Sequence, residues 1–110
     1  MFTSEIVSLI NDLDIFLKHS SKDLRSFSFS YNRNLGEAGL IKLLEVLPKS
    51  ISILGLVDCG LGNKDMESLL QWVKMNPQIS MICIENNVFS NKSKEDLVDL
   101  SQIMSIALSI

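Results

Sequence analysis

The sequence predicts an α/β fold in which short parallel strands alternate with helices and stack as the coils of a short solenoid. Three observations favour this fold class. An apolar pattern recurs from Leu24, Ile51 and Ile79, so that its starts are 27 and 28 residues apart. Each recurrence opens with the alternation of a strand and continues with the periodicity of a helix. Repeats of about 20–50 residues, each forming one such unit, are typical of solenoids.

Each of the three units opens with a strand whose first, fourth and sixth residues are apolar. The segments read "LRSFSFSYNRNL" from Leu24, "ISILGLVDCGL" from Ile51 and "ISMICIENNVF" from Ile79. Because strand side chains alternate, the fourth and sixth residues are expected to point into the coil. The ninth residue, where the chain leaves the strand, can hydrogen-bond to backbone groups that have no ladder partner. The ninth residues are Asn32, Cys59 and Asn87.

A helix is expected after each strand. In the first unit the helical spacing joins Leu40, Leu43, Leu44 and Leu47, and in the second it joins Met66, Leu69, Leu70 and Val73. The third unit has Leu97 and Val98 at corresponding positions. Pro48 and Pro77 follow the first two helices, where proline marks an exit from a helix. About three strand-turn-helix repeats are therefore predicted.

Both ends of such a stack need a cover. Residues 4–18 are predicted to form an amphipathic capping helix, or a degenerate repeat that lacks its strand. Its apolar side comprises Ile6, Leu9, Ile10, Leu13, Phe16 and Leu17. Residues 94–110 are predicted to continue the last helix into a helical cap. This tail either seals the core or docks on a partner or a second copy, and the strand from Ile79 keeps a free edge unless the tail covers it.

These units resemble leucine-rich repeats of the ribonuclease-inhibitor type, whose pattern is L-x-x-L-x-L-x-x-N/C-x-L followed by a helix. The second and third units match all five marked positions, whereas the first has one extra residue between Asn32 and Leu35. "LGEAG", from Leu35 to Gly39, also looks like the turn-to-helix sequence of that type. The resemblance implies one domain over residues 1–110. Its parts are a cap (1–23), repeats (24–50, 51–78 and 79–101) and a C-terminal cap (102–110).

Composition excludes several other classes of protein. The net charge of −3 and pI of about 5.0 disfavour nucleic acid as a ligand and suit a basic protein partner better. No apolar stretch is long enough for a membrane span, and no signal peptide is recognisable, so we expect a cytoplasmic protein. Two cysteines and one histidine give no metal-ligand spacing, and no catalytic or phosphate-binding motif is present. We therefore expect neither a metal, nor a cofactor, nor an enzyme.

The candidate binding surface is the concave face, the side of the sheet opposite the helices. The third, fifth and seventh residues of each repeat should line it in rows, because strand side chains alternate. They place an apolar centre within a polar rim, as protein-binding patches are built. The partner-binding residues predicted in this way are Tyr31, Ile53, Val57, Asp58, Met81, Cys83, Glu85 and Asn86.

The sequence therefore predicts a non-enzymatic module that recognises a partner protein through its concave face. Size, acidity and the resemblance suggest an inhibitor or immunity protein that neutralises a toxin, such as a nuclease with a basic surface. We expect a monomer when free or a heterodimer with the partner. The alternative is a structural or assembly protein that self-associates, for example as a homodimer, through its C-terminal tail and free strand edge.

Overall fold

A computed structural model of the chain describes residues 4–20 and 24–110. Four helices alternate with four strands in this part of the chain. In chain order they are α1 (Ser4–Ser20), β1 (Ser26–Ser28), α2 (Gly36–Val46), β2 (Ile53–Gly55), α3 (Asn63–Lys74), β3 (Met81–Cys83), α4 (Asn91–Met104) and β4 (Ala107–Ser109). The strands form one parallel sheet in the order β1-β2-β3-β4. The predicted fold class, a short solenoid with a leucine-rich-repeat-like fold, is confirmed.

The register of the sheet follows the spacing of the repeats. Ser26 lies beside Ile53, and Ile53 lies beside Met81. Each of these residues stands two places after the start of its unit, so the three starts open equivalent parallel strands, as predicted. The helices pack in the same order, with α2 against α3 and α3 against α4. Among the described residues, no helix is both long and apolar enough to cross a membrane.

The predicted helical cap over residues 102–110 is wrong. Helix α4 ends at Met104, and Ser105 adopts a left-handed conformation with φ of 57°. The chain then turns back to form β4, where Ala107 N donates to Ser80 O (2.8 Å) and Ile84 N donates to Ser109 O (2.8 Å). The unpaired backbone groups along the β3 edge favour this pairing over a longer helix. The tail therefore covers the edge of β3 as a fourth strand.

The core lies between the sheet and the helices. Residues at the fourth and sixth positions of the two central strands are buried, as predicted from alternation. They are Leu54, Leu56, Ile82 and Ile84. In β1 the equivalent Phe27 is half-buried and stacks on Phe29, with ring centroids 6.3 Å apart.

The predicted apolar side of α1 is only partly covered. Ile10 and Leu17 are buried and Leu13 is half-buried, but Leu9 and Phe16 are 47% and 60% exposed. Helix α1 packs against α2 and contacts no strand among the described elements, which explains the exposure. The side chain of Ile6 lies outside the described residues.

Asn87 joins neighbouring coils through its side chain. Its Oδ1 accepts from Cys59 N (2.9 Å) and Leu61 N (3.0 Å), and its Nδ2 donates to Leu56 O (2.9 Å) in the preceding coil. The same Nδ2 also lies 3.0 Å from Ile84 O. One amide thus satisfies backbone groups of two coils, which is the role that the ninth position predicts.

Cys59 occupies the ninth position of the second repeat and makes a weaker version of this link. Its Sγ donates to Phe29 O at 3.3 Å, and its side chain is buried. A thiol is a weak donor and a weak acceptor, so this joint relies more on packing than the joint at Asn87 does.

Replacing Asn87 by alanine should destabilise the fold by about 3 kcal/mol, because it leaves buried backbone donors and acceptors without partners. Asn32→Ala is the matched control. Asn32 Nδ2 donates to Phe29 O (2.7 Å) and Ser30 O (3.3 Å) within its own coil, so its loss should cost about 1 kcal/mol. Urea denaturation measures both free energies of unfolding. Equal losses would contradict the bridging role.

Asp65 should make stability depend on pH. Its side chain is buried, and Oδ2 accepts from Gly62 N (2.7 Å), but Oδ1 has no partner among the described residues. Burial raises the pKa of Asp65, opposed by the Gly62 N–H and reinforced by Glu37. A raised folded pKa means that the unfolded state loses its proton first. Stability should therefore fall as pH rises through the folded pKa.

Asp65→Asn should remove this component and give a protein that is more stable than the wild type at pH 7. The amide keeps an acceptor for Gly62 N and introduces no buried charge. Denaturation series from about pH 4 to pH 7 measure the slope. Glu67→Gln, at an exposed position of the same helix, is the control that should keep the wild-type slope. An unchanged slope for Asp65→Asn would refute the assignment.

Candidate partner-binding face

The concave face carries an exposed row of residues that runs across all four strands. Ile53 and Met81 lie side by side in register, each 36% exposed. Ser26 extends the row on one side and Ala107 on the other, and both are exposed. The structure therefore brings two of the predicted apolar residues into direct adjacency.

The second row lies deeper in the face and is shaped by Gly55. A Cβ at Gly55 would lie 3.0 Å from the Ser28 Oγ and 3.3 Å from the Ser30 Oγ, so the two hydroxyls occupy the space that a side chain would need. Gly55 is consequently buried, whereas Cys83, beside it in β3, is half-buried. The serines fix a shallow hydroxyl-lined area at the β1 end of the face.

The third row contains Val57 and Glu85, both half-buried. Val57 N donates to Ser30 Oγ at 2.9 Å, which ties this row to the serines of the first coil. Together with the second row, it divides the concave face into two parts. Hydroxyl groups line the β1 part, and apolar side chains line the part over β2 and β3.

The chain leaves each of the first three strands through a residue in the left-handed conformation. Tyr31, Asp58 and Asn86 have φ of 68°, 55° and 60°. Tyr31 N donates to Val57 O (2.6 Å), and Asp58 N donates to Glu85 O (2.9 Å), so pairing with the next coil holds this bend. At these positions Tyr31 is 73% exposed and Asn86 is exposed. An aromatic side chain is thus held clear of the core at the rim.

Arg33 is a rim residue that the sequence reasoning missed. Its Nε and Nη2 donate to the same oxygen of Asp58, Oδ2, at 3.0 and 2.7 Å. The hydrogen bond and charge of Asp58 raise the pKa of Arg33. The side chain of Arg33 is 76% exposed and that of Asp58 only 20% exposed. Asp58 therefore meets the solvent less than predicted, and Arg33 presents the charge.

An open groove of about 430 Å³ lies at this end of the face. Its lining residues are Tyr31, Asn32, Arg33, Asn34 and Asp58. The only sequence signal for Arg33 was its place next to the ninth residue, in the turn that is one residue longer than in the other repeats. The longer turn alters the loop, and sequence spacing alone does not give the partner of an arginine in such a loop.

The arrangement is suited to contact and shows no chemistry of its own. Among the described residues, no group of three or more His, Cys, Asp or Glu side chains is placed to hold a metal ion. The Arg33–Asp58 pair is electrically balanced, which leaves Glu85 as the remaining predicted charged residue of the face. An apolar surface with polar edges can bind apolar side chains of another protein.

Comparison with known proteins supports the fold. No family model matches the chain, and no curated protein matches it. The structure is similar to the tropomodulin C-terminal domain of Caenorhabditis elegans, with a TM-score of 0.72 and 16% sequence identity. The match covers 96% of this chain but 63% of that domain's chain, so this chain spans less than two thirds of the known structure.

The two cysteines should differ sharply in reactivity. Cys83 is half-buried on the concave face, whereas Cys59 is buried and its pKa is raised mainly by that burial. Because the thiolate is the reactive form, iodoacetamide should modify Cys83 in the folded protein and reach Cys59 only after unfolding. Peptide mass mapping over a time course measures both rates. Similar rates for both in the folded protein would contradict the placement of this face.

Proposed function

We propose that this chain is a non-enzymatic protein-binding module that recognises a partner protein through its concave face. The observation that carries the proposal is the exposed apolar row formed by Ile53 and Met81, which no other described element covers. A contiguous apolar surface with a polar rim typically marks an interaction site. The likeness to another domain of the same fold supports the architecture and leaves the partner open.

The predicted contact residues have distinct roles in this proposal. The apolar centre comprises Ile53, Val57, Met81 and Cys83, and the rim comprises Tyr31, Glu85 and Asn86. Tyr31 acts as the aromatic anchor because it combines a large apolar area with a polar tip. Asp58 acts as a positioning residue, because its carboxylate holds the Arg33 guanidinium at the rim.

We further propose that the repeats are of the ribonuclease-inhibitor type and that residues 1–110 form one domain, with repeats over 24–50, 51–78 and 79–101. The repeat spacing of 27 and 28 residues and the Asn or Cys at the ninth position support this subtype. The last residues, 102–110, complete the domain as a strand instead of a helical cap.

The finer proposal is a cytoplasmic inhibitor or immunity protein that neutralises a toxin such as a nuclease, monomeric when free and heterodimeric when bound. A basic partner is supported by the net charge of −3. Because Arg33 balances Asp58, this acidity resides largely outside the predicted contact residues. Charge would therefore steer the encounter, and apolar contacts would hold the complex.

Met81→Arg should abolish recovery of a stoichiometric partner when the tagged chain is isolated from native cells. The substitution places a charge in the centre of the apolar row, where an unpaired buried charge in the complex is strongly unfavourable. The matched control is Ile103→Arg, a change of the same kind at a side chain that is 79% exposed on α4. Quantitative mass spectrometry compares the recovered amounts, and circular dichroism confirms that both variants fold.

The control should retain the partner at the wild-type ratio, and the melting temperature of the wild type should rise when the purified partner is added. If Met81→Arg and the wild type recover the same partner equally, the concave face is not the binding site. If a recovered partner fails to raise the melting temperature of the wild type, it is not a specific ligand of the folded chain.

A further inference from the structure

Helix α1 belongs to a coil that lacks its strand. Twenty-seven residues after Leu13, Phe16 and Leu17 stand Leu40, Leu43 and Leu44, the buried residues of α2. Phe16 corresponds in this spacing to Leu43, which is 0% exposed, yet Phe16 itself is 60% exposed. Because α1 packs against α2 and contacts no described strand, the place in front of Phe16 where a strand would lie is open.

Strand β4 belongs to a coil that lacks its helix. Leu108 is in register with Ile82, which in turn is in register with Leu54. Both of those side chains are 0% exposed, but Leu108 is only half-buried. Within the described residues β4 contacts β3 and α4, and no further helix packs behind it. Leu108 thus occupies a core position that the chain does not complete.

The backbone edges at the two ends have matching patterns. On β4, Ala107 N and Ser109 O bond to the β3 side, so the N–H and C=O of Leu108 face the free edge. On β1, Arg25 O and Phe29 N bond to the β2 side, so Ser26 and Ser28 face the opposite free edge. Residues 106–110 contain neither proline nor a charged side chain, the features that usually protect an edge.

We propose that copies of this chain associate head to tail, so that β4 of one copy pairs in parallel with β1 of the next. Helix α1 of the second copy then covers Leu108 of the first, and a strand and a helix from two chains complete one shared coil. Phe16 of the second copy faces the strand that its own chain lacks. The contact is heterologous, so it repeats into an open assembly or closes into a ring.

A second copy suits these ends because each end supplies what the other lacks. A symmetric pairing of two β4 strands would leave both copies of Leu108 without a helix, and pairing of two α1 helices would leave both without a strand. The proposal is independent of partner binding, because the contact uses the ends of the solenoid and leaves the apolar row of Ile53 and Met81 open.

Two blocking variants test the proposal in a complementation experiment. Phe16→Glu blocks the α1 end, and Leu108→Glu blocks the β4 end. A second variant, Leu108→Pro, blocks the same end by removing the outward N–H, which is tolerated on edge strands. The control is Ile103→Glu, which adds the same charge away from both ends. Sedimentation analysis measures mass against concentration, and circular dichroism with thermal melts confirms folding.

The wild type and Ile103→Glu should increase in mass with concentration beyond a dimer, unless a ring closes at a fixed number of copies. Each blocked variant should be monomeric alone. An equimolar mixture of Phe16→Glu with either Leu108 variant should form a 1:1 heterodimer and nothing larger, because one intact contact remains.

Several outcomes would overturn the proposal. The first is a wild type that stays monomeric at its highest soluble concentration. A Phe16→Glu variant that dimerises alone would indicate symmetric β4 pairing, and a Leu108 variant that dimerises alone would indicate α1 pairing. The absence of a heterodimer from the mixture of folded variants would also refute the shared coil.

Discussion

In-register pairing of neighbouring parallel strands is the constraint on which the rest of this structure depends. A coil of 27 or 28 residues has a three-residue strand and cannot satisfy its backbone or bury its apolar side chains alone. Asn87 shows how the coils are joined, because its amide bonds to Leu56 O in one coil and to Ile84 O in the next. Stability therefore resides in the joints between coils more than within any one coil.

The same dependence explains the ends of the molecule. Phe27 and Leu108 stand at positions that are fully buried in the middle coils, yet both remain half-buried because each has a neighbour on one side only. The end elements are incomplete in opposite ways, since α1 has no strand and β4 has no helix. In a stacked architecture an incomplete end is a surface as well as a weakness, since the groups that it exposes are those that the next coil would use.

Alternation along the strands separates the residues that hold the fold from those that face a partner. Leu54 and Ile82 point into the core, and their neighbours Ile53 and Met81 point out of the concave face. The face can therefore vary in character without disturbing the core, as the serines over β1 and the apolar residues over β2 and β3 illustrate. Contacts between coils refine it, because Arg33 from one coil is held by Asp58 from the next.

The sequence by itself determined the strand starts, the helices that follow, the buried fourth and sixth positions and the rows of the concave face, because these follow from a repeat length and a period of two. Only the tertiary structure decided the remaining features. The tail became β4 because the open edge of β3 offered backbone partners, which no local pattern in residues 102–110 reveals. Leu9 and Phe16 stayed exposed because no strand lies beside α1, and Arg33 joined the rim because Asp58 lies opposite it in the next coil. Local periodicity does not contain such contacts, since they depend on which elements become neighbours.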